Sequence, residues 1–233
     1  MPRLECINSS SAGNCFILDC DGEKLILDLG VEWRKIEQCL RYDISTVAGC
    51  LVSHIHLDHS KSIPNALKYF IDVFSCPEVC TAHNGVQTLS IGKKQRIGGF
   101  LVQPIPLTHN VENYGFIITH EALGKLVYAV DCSQFQYKIK DVNHWILEAN
   151  YDSMVMIDRF LDNKASNSHY ENHLSINQTL EALEVNANDN TKTIVLAHLS
   201  DDNSNEADFL CRASEKFPNV SCYIADRGLA LNL

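Results

Sequence analysis

Apolar and polar positions change in short bursts over the first fifty residues. Residues 4–8, 15–18 and 24–27 read as strands, separated by Ser-Ser-Ser-Ala-Gly and by Asp-Gly, both turn signals. Trp33, Ile36, Cys39 and Leu40 then take up helical spacing over 33–40, ahead of a continuous apolar run at 47–52 that reads as a buried strand. Helices are predicted over 62–70 and 78–89, and strands at 100–105, 114–118 and 125–130. In the last third, 144–148 and 193–197 read as buried strands, with helices at 175–183 and 206–216, and Ser175 is a natural N-cap. A β meander followed by repeated β and α alternation predicts an α/β protein. No linker, low-complexity tract or fixed-period repeat interrupts the 233 residues, so a single domain over 1–233 is expected. The one candidate boundary, 162–171, has the composition of a polar surface loop near a site.

Hydrophobic residues make up 45% of the chain and charged residues 21%, which allows a real core and excludes a disordered chain. No run approaches the roughly 18 apolar residues of a membrane span. The opening Met-Pro-Arg-Leu-Glu-Cys lacks a secretory apolar region, so no membrane partner and a cytoplasmic location are expected. The ten cysteines are scattered, as at Cys15, Cys50 and Cys222, with no CxxC pair, which reads as reduced core thiols. Cys76 and Cys80 have no further soft ligands nearby that would make them a metal site. A net charge of −10 has the wrong sign for a protein that grips long nucleic acid through a basic face. The local run Lys93, Lys94 and Arg96 reads as a solvated loop, with a local basic patch as the alternative.

Candidate chemistry concentrates in Ser53-His54-Ile55-His56-Leu57-Asp58-His59, directly after the apolar run. Strand ends are where layered α/β folds carry ligand-binding loops. In a turn, His54 and His56 share one side and converge on one ion, while Asp58 and His59 follow at an offset that addresses a second. Imidazoles and a carboxylate suit Zn2+, and oxygen-containing sites also take Mn2+. Four donors cannot complete two sites, and His109, Asp131 and His198 each stand where an apolar run stops.

With these seven residues in this order, the chain resembles the metallo-β-lactamase superfamily from about residue 5 to its end. The resemblance implies a four-layered αβ/βα sandwich with two divalent metal ions between the sheet edges. Asp28, in Leu27-Asp28-Leu29-Gly30, matches a motif whose carboxylate supports the histidine loop without binding metal. Classical antibiotic-hydrolysing members use a cysteine where this chain has Asp131, with Cys132 next door; a strand-ending aspartate is the phosphodiesterase pattern. Ser9-Ser10-Ser11-Ala12-Gly13-Asn14, Leu147-Glu148-Ala149-Asn150-Tyr151-Asp152, His173-Leu174-Ser175 and His198-Leu199-Ser200 resemble the YycJ/WalJ-like branch, associated with exonuclease activity on DNA. They also resemble ribonuclease Z.

The implied mechanism is hydrolysis of a phosphodiester by a hydroxide bridging two metals, with Asp131 as the bridging carboxylate and Asp58 as an essential ligand. His173, held by Glu148, is the implied proton donor to the leaving group. Asn150 and Asp152 are expected to line the mouth. Residues 9–14, with Ser10 and Asn14, read either as a loop that approaches substrate phosphate or as a simple hairpin turn. The expected substrate is nucleic acid or a nucleotide. Cyclic-nucleotide phosphodiesterases use the same ligands, and thioester hydrolases of the glyoxalase II type share the metal geometry. Flavodiiron redox proteins carry a similar loop, but His56 argues against that class.

Overall fold

Two seven-stranded sheets account for the apolar pattern, and both are built the same way. The computed structural model describes residues 1–161 and 172–233, apart from the side chains of 158–161. The polar loop expected at 162–171 lies outside the described residues. The first sheet takes β1 (Arg3–Ser10), β2 (Gly13–Cys20), β3 (Glu23–Leu27), β4 (Val47–Leu51), β5 (Val73–Ser75) and β6 (Gln87–Thr88). The second takes β7 (Gln95–Ile97), β8 (Phe100–Leu107), β9 (Asn113–His120), β10 (Gly124–Ala129), β11 (His144–Glu148), β12 (Thr193–Ala197) and β13 (Ser221–Ile224). A last strand, β14 (Ala230–Asn232), returns to the first sheet and pairs antiparallel with β1. In each sheet one half is antiparallel, while β3 to β6 and β10 to β13 pair in parallel.

The buried parallel strands read as unbroken apolar runs because both of their faces are covered. Along β10, Leu126 and Tyr128 belong to the core shared with the first sheet, whereas Val127 and Ala129 belong to a second core under helices. The same alternation sends Ile146 and Val195 inward, and Trp145, Leu147, Ile194 and Leu196 outward. On the first sheet's side, α1 (Trp33–Cys39) buries Trp33 and Ile36. There α2 (Leu57–Ser60) and α3 (Ile63–Lys68) follow β4, and α4 (Pro77–Ala82) follows β5. Beyond α5 (Ser153–Leu161), the helices α6 (Ile176–Asn186) and α7 (Glu206–Lys216) cover the second sheet, burying Ile176, Leu180, Leu183, Phe209 and Ala213. The architecture is a four-layered αβ/βα sandwich.

Ser175 caps α6 as its type suggests: Oγ accepts from the Gln178 amide, and the Gln178 side chain accepts from the Ser175 amide. The helix expected over 78–89 ends early. After Ala82 the chain turns extended at His83 (φ −127°, ψ 100°), passes Gly85 at φ +100°, and gives Gln87 and Thr88 to the sheet beside β5. None of the described helices is long and apolar enough to cross a membrane.

Candidate metal centre

The site is assembled from the C-terminal ends of strands in both sheets. Asp28 follows β3, the loop bearing His54 and His56 follows β4, His109 follows β8, Asp131 follows β10, Glu148 ends β11 and His198 follows β12. Asp28, Asp131 and His198 turn off their strands with left-handed backbones, at φ 60°, 54° and 55°. Few non-glycine residues adopt this region, and such residues cluster at functional sites.

Asp28 is fully buried and organises the histidine loop. Its Oδ1 accepts the Ser53 amide at 2.7 Å, and its Oδ2 lies 2.7 Å from His59 Nδ1 and 2.5 Å from the Tyr128 hydroxyl, which donates to it. The Asp28 carboxylate accepts from His59 Nδ1–H, which turns Nε2 toward Asp131 and Asp58, at 2.9 and 3.2 Å. The backbone after Asp28 supports α2 directly: the Leu29 amide donates to the His59 carbonyl at 2.8 Å. A Cβ on Gly30 would stand 1.5 Å from the Asp58 carbonyl oxygen, so only glycine fits there.

Nine side chains present donor atoms in three overlapping groups, in each of which all atoms lie within 4.8 Å of one another. His54, His56, His109 and Asp131 form one group; Asp58, His59, Asp131 and His198 form the next; Asp131, Glu148, His173 and His198 form the third. In the first, His54 Nε2 is 3.0 Å from His56 Nδ1, His109 Nε2 is 3.4 Å from the same atom, and His54 Nε2 is 3.4 Å from Asp131 Oδ2. Nitrogen ligands about 2.0–2.1 Å from one tetrahedral ion stand about 3.3 Å apart, so this spacing is that of a coordination shell. Asp131 Oδ1 and His198 Nε2 are buried and make no hydrogen bond among the described residues, which leaves them available as ligands. All seven residues expected to bind metal are thus brought together, and the donor set fits divalent cations.

The electrostatics have the same cause. Burial would raise the Asp131 pKa, but His198 and His59 hold it well below the usual carboxylate range. Burial likewise opposes ionisation of Asp58, which its neighbours His198 and His59 nevertheless pull below its ordinary value. Burial disfavours charge on His59, yet Asp28 and Asp131 lift it well above an ordinary imidazole. His54, enclosed and beside His59, is pushed well below. Here imidazolium groups neutralise buried carboxylates, the service a divalent cation performs when it displaces those protons.

On the third side, His173 Nδ1 lies 2.5 Å from Glu148 Oε1 and 3.4 Å from Asp131 Oδ1. Burial works against its charge, but Glu148 and Asp131 raise its pKa to about 10. Glu148 is completely buried, and its Oε2 accepts the Cys132 amide at 2.8 Å. Cys132 itself packs in the outer core with its thiol pKa raised well above normal by burial, so Asp131 and not Cys132 faces the centre.

The residues expected to meet substrate divide. Ser9 and Ser10 belong to β1, and residues 9–14 form the tight β1–β2 hairpin, with Ser10 opposite Gly13. Ser10 Oγ accepts from the Asn8 side chain and the Ala12 amide. Asn14 is fully buried, with Nδ2 3.0 Å from His59 Nε2. Asn150 Nδ2 donates to the His198 carbonyl at 2.9 Å and lies 3.2 Å from its Nδ1. Asp152 is engaged away from the cluster, by Arg212 at 2.8 Å and by the Met154 amide. Three supports were not anticipated: Ser9 Oγ accepts the His198 amide at 2.9 Å, Ser53 Oγ bridges Asp28 and His54, and Tyr128 anchors Asp28. Ser53 adjoins the histidine motif and so had a signal in the sequence; a tyrosine inside an apolar strand had none.

No family model matches the chain. Exodeoxyribonuclease YycJ of Bacillus anthracis is 27% identical over 215 residues, covering 84% of this chain and 81% of that protein. The metallo-β-lactamase fold protein YhfI from Bacillus subtilis superposes with a TM-score of 0.77 at 15% identity, covering 99% of both chains. The short form of human tRNase Z gives 0.67 at 14% identity, over 99% of this chain and 98% of its own. By its layers, strand order and cluster of strand-end donors, the chain is a metallo-β-lactamase-fold protein, similar in sequence to the YycJ/WalJ exodeoxyribonucleases.

Proposed function

We propose that this protein is a metal-dependent nuclease that hydrolyses phosphodiester bonds in DNA. The observation that carries the reading is Asp131, which belongs to both the His54, His56, His109 group and the Asp58, His59, His198 group. Sharing this carboxylate, the two groups would hold a pair of divalent cations. Zn2+ is the ion that the imidazole-rich donors favour, with Mn2+ as the alternative. When bound, the pair supplies Lewis acidity toward a phosphoryl oxygen and a water ionised near neutral pH.

The chain's own residues do the rest. Asp28 fixes the ring of His59, and Asn150 and Ser9 fix His198. His173, oriented by Glu148, delivers a proton to the departing oxygen. Ser10, at the hairpin turn, would border the substrate's path, whereas Asn14 acts through His59 and Asn150, buried, through His198. The likeness to YycJ favours DNA as substrate, and the net charge of −10 favours a substrate less extended than duplex, which keeps cyclic nucleotides as the second reading.

The test is turnover by purified protein supplied with Zn2+ or Mn2+, on end-labelled single- and double-stranded DNA, cyclic nucleotides and bis(p-nitrophenyl) phosphate. Metal-dependent cleavage of DNA and of the small diester, both abolished in Asp58→Ala, is the expected result. Turnover of cyclic nucleotides alone would select the second reading, and no phosphodiester turnover with either metal would sink the class.

A further inference from the structure

Outside the metal centre, the second sheet carries a cavity of about 490 Å³ on the outer face of β8 and β9. Its floor is apolar, with Leu101 and Ile105 from β8 and Ile117 from β9. Its walls bring together Lys94, Lys125, Lys138 and Lys140, and among the described residues no carboxylate lines it. Four lysines around one apolar floor are conspicuous in a chain whose net charge is −10. The set comes from three separate segments: Lys94 just before β7, Lys125 on β10, and Lys138 and Lys140 on the stretch after Asp131. Lys125 is half-buried and fixed by donating from Nζ to the Lys140 carbonyl at 2.5 Å, so the charge is partly ordered in advance.

The cavity is also directed. Tyr137 lines it and donates its hydroxyl to the Pro106 carbonyl at 2.5 Å. Pro106 stands three residues before His109, a distance that the chain spans in at most about 11 Å. Tyr137 is on the segment that leaves Asp131. One end of the groove is therefore formed by chain segments that lead to His109 and from Asp131.

We infer that this groove binds a single strand of DNA on its way to the metal centre, the lysines holding phosphates and the apolar floor with Tyr137 receiving bases. The inference rests on the nuclease reading for its substrate class. A single strand exposes base faces that can stack on an apolar and aromatic floor, which a duplex does not. A duplex also needs a broad cationic surface, whereas this groove is narrow and the chain's net charge is −10.

Binding is measured by fluorescence anisotropy with the metal-loaded protein and a labelled single strand whose phosphorothioate linkages resist cleavage, beside a duplex of the same sequence. Lys94→Glu with Lys138→Glu alters two exposed groove positions; Lys35→Glu with Lys68→Glu makes the same charge change on the exposed faces of α1 and α3. The groove pair should weaken single-strand binding by at least about tenfold and flatten its salt dependence by about 1.4 in log–log slope, from about 0.7 per lost phosphate contact. The control pair should do much less. Turnover of bis(p-nitrophenyl) phosphate should be unchanged by the groove pair. Equal weakening by both pairs, tighter binding of duplex than of single strand, or no binding by the unaltered protein would each overturn the groove. Because the readout is binding, it decides the groove even if hydrolysis of the small diester is absent, a result that would instead overturn the proposed function.

Discussion

The basicity of the departing oxygen decides how much His173 is needed. A deoxyribose alkoxide leaves poorly unless protonated, whereas nitrophenolate leaves unassisted, so one variant distinguishes proton delivery from site-building. His173→Ala should lower kcat on DNA by about 10² to 10⁴ and leave most of the turnover of bis(p-nitrophenyl) phosphate. Equal losses on both substrates would show that His173 holds the centre together and does not protonate the leaving group. The pairing with Glu148 is built to favour the charged imidazole, since Glu148 is enclosed and its other oxygen is already taken by the Cys132 amide. Not every polar residue of the motifs behaves this way. Asp152, in the same strand-end motif as Glu148, is tied to Arg212 and the start of α5.

Among elements, the four-residue α2 depends most on its neighbours. It is too short to be stable by itself, and it carries Asp58 and His59. Its place is set by the Asp28 to Gly30 segment, which runs in backbone contact with it. Gly30→Ala should therefore force α2 away, lowering stability by about 1–3 kcal/mol, as for overpacking generally, and reducing bound metal. Thermal melting and metal analysis of the purified variant check both; full metal content with unchanged melting would contradict the account. The elements that were legible from sequence were those in which one periodicity prevailed. β11 and β12 were readable to the residue because both faces are buried, and α6 because Ser175 marks its start. The stretch at 78–89 misled because Val79, Val86 and Leu89 can be read at helical spacing, while sheet pairing at Gln87 and Thr88 depends on a partner strand invisible locally. The donors were legible because histidine and aspartate at the ends of apolar runs are chemically marked. Tyr128 and Ser9 act through hydrogen bonds whose partners lie 100 and 189 residues away, and no local pattern encodes them.

At the scale of the molecule, the donors tie the two sheets together: His54, His56, Asp58 and His59 come from the first, and His109, Asp131 and His198 from the second. Cations bound between them should stabilise the folded chain by mass action, by about 2.7 kcal/mol for one site at a hundredfold excess over Kd. For a chain of this length that corresponds to a fall of roughly 5–10 °C in Tm on chelation. Calorimetry with and without EDTA, and after restoring Zn2+ or Mn2+, measures it; a melting point indifferent to chelation would place the cations outside the junction. The left-handed backbones at Asp28, Asp131 and His198 act in the opposite direction, because each such conformation costs about 1–3 kcal/mol. The packing and hydrogen bonds around each corner hold it there regardless, so an arriving cation finds its donors already aimed and loses little of its affinity to ordering them.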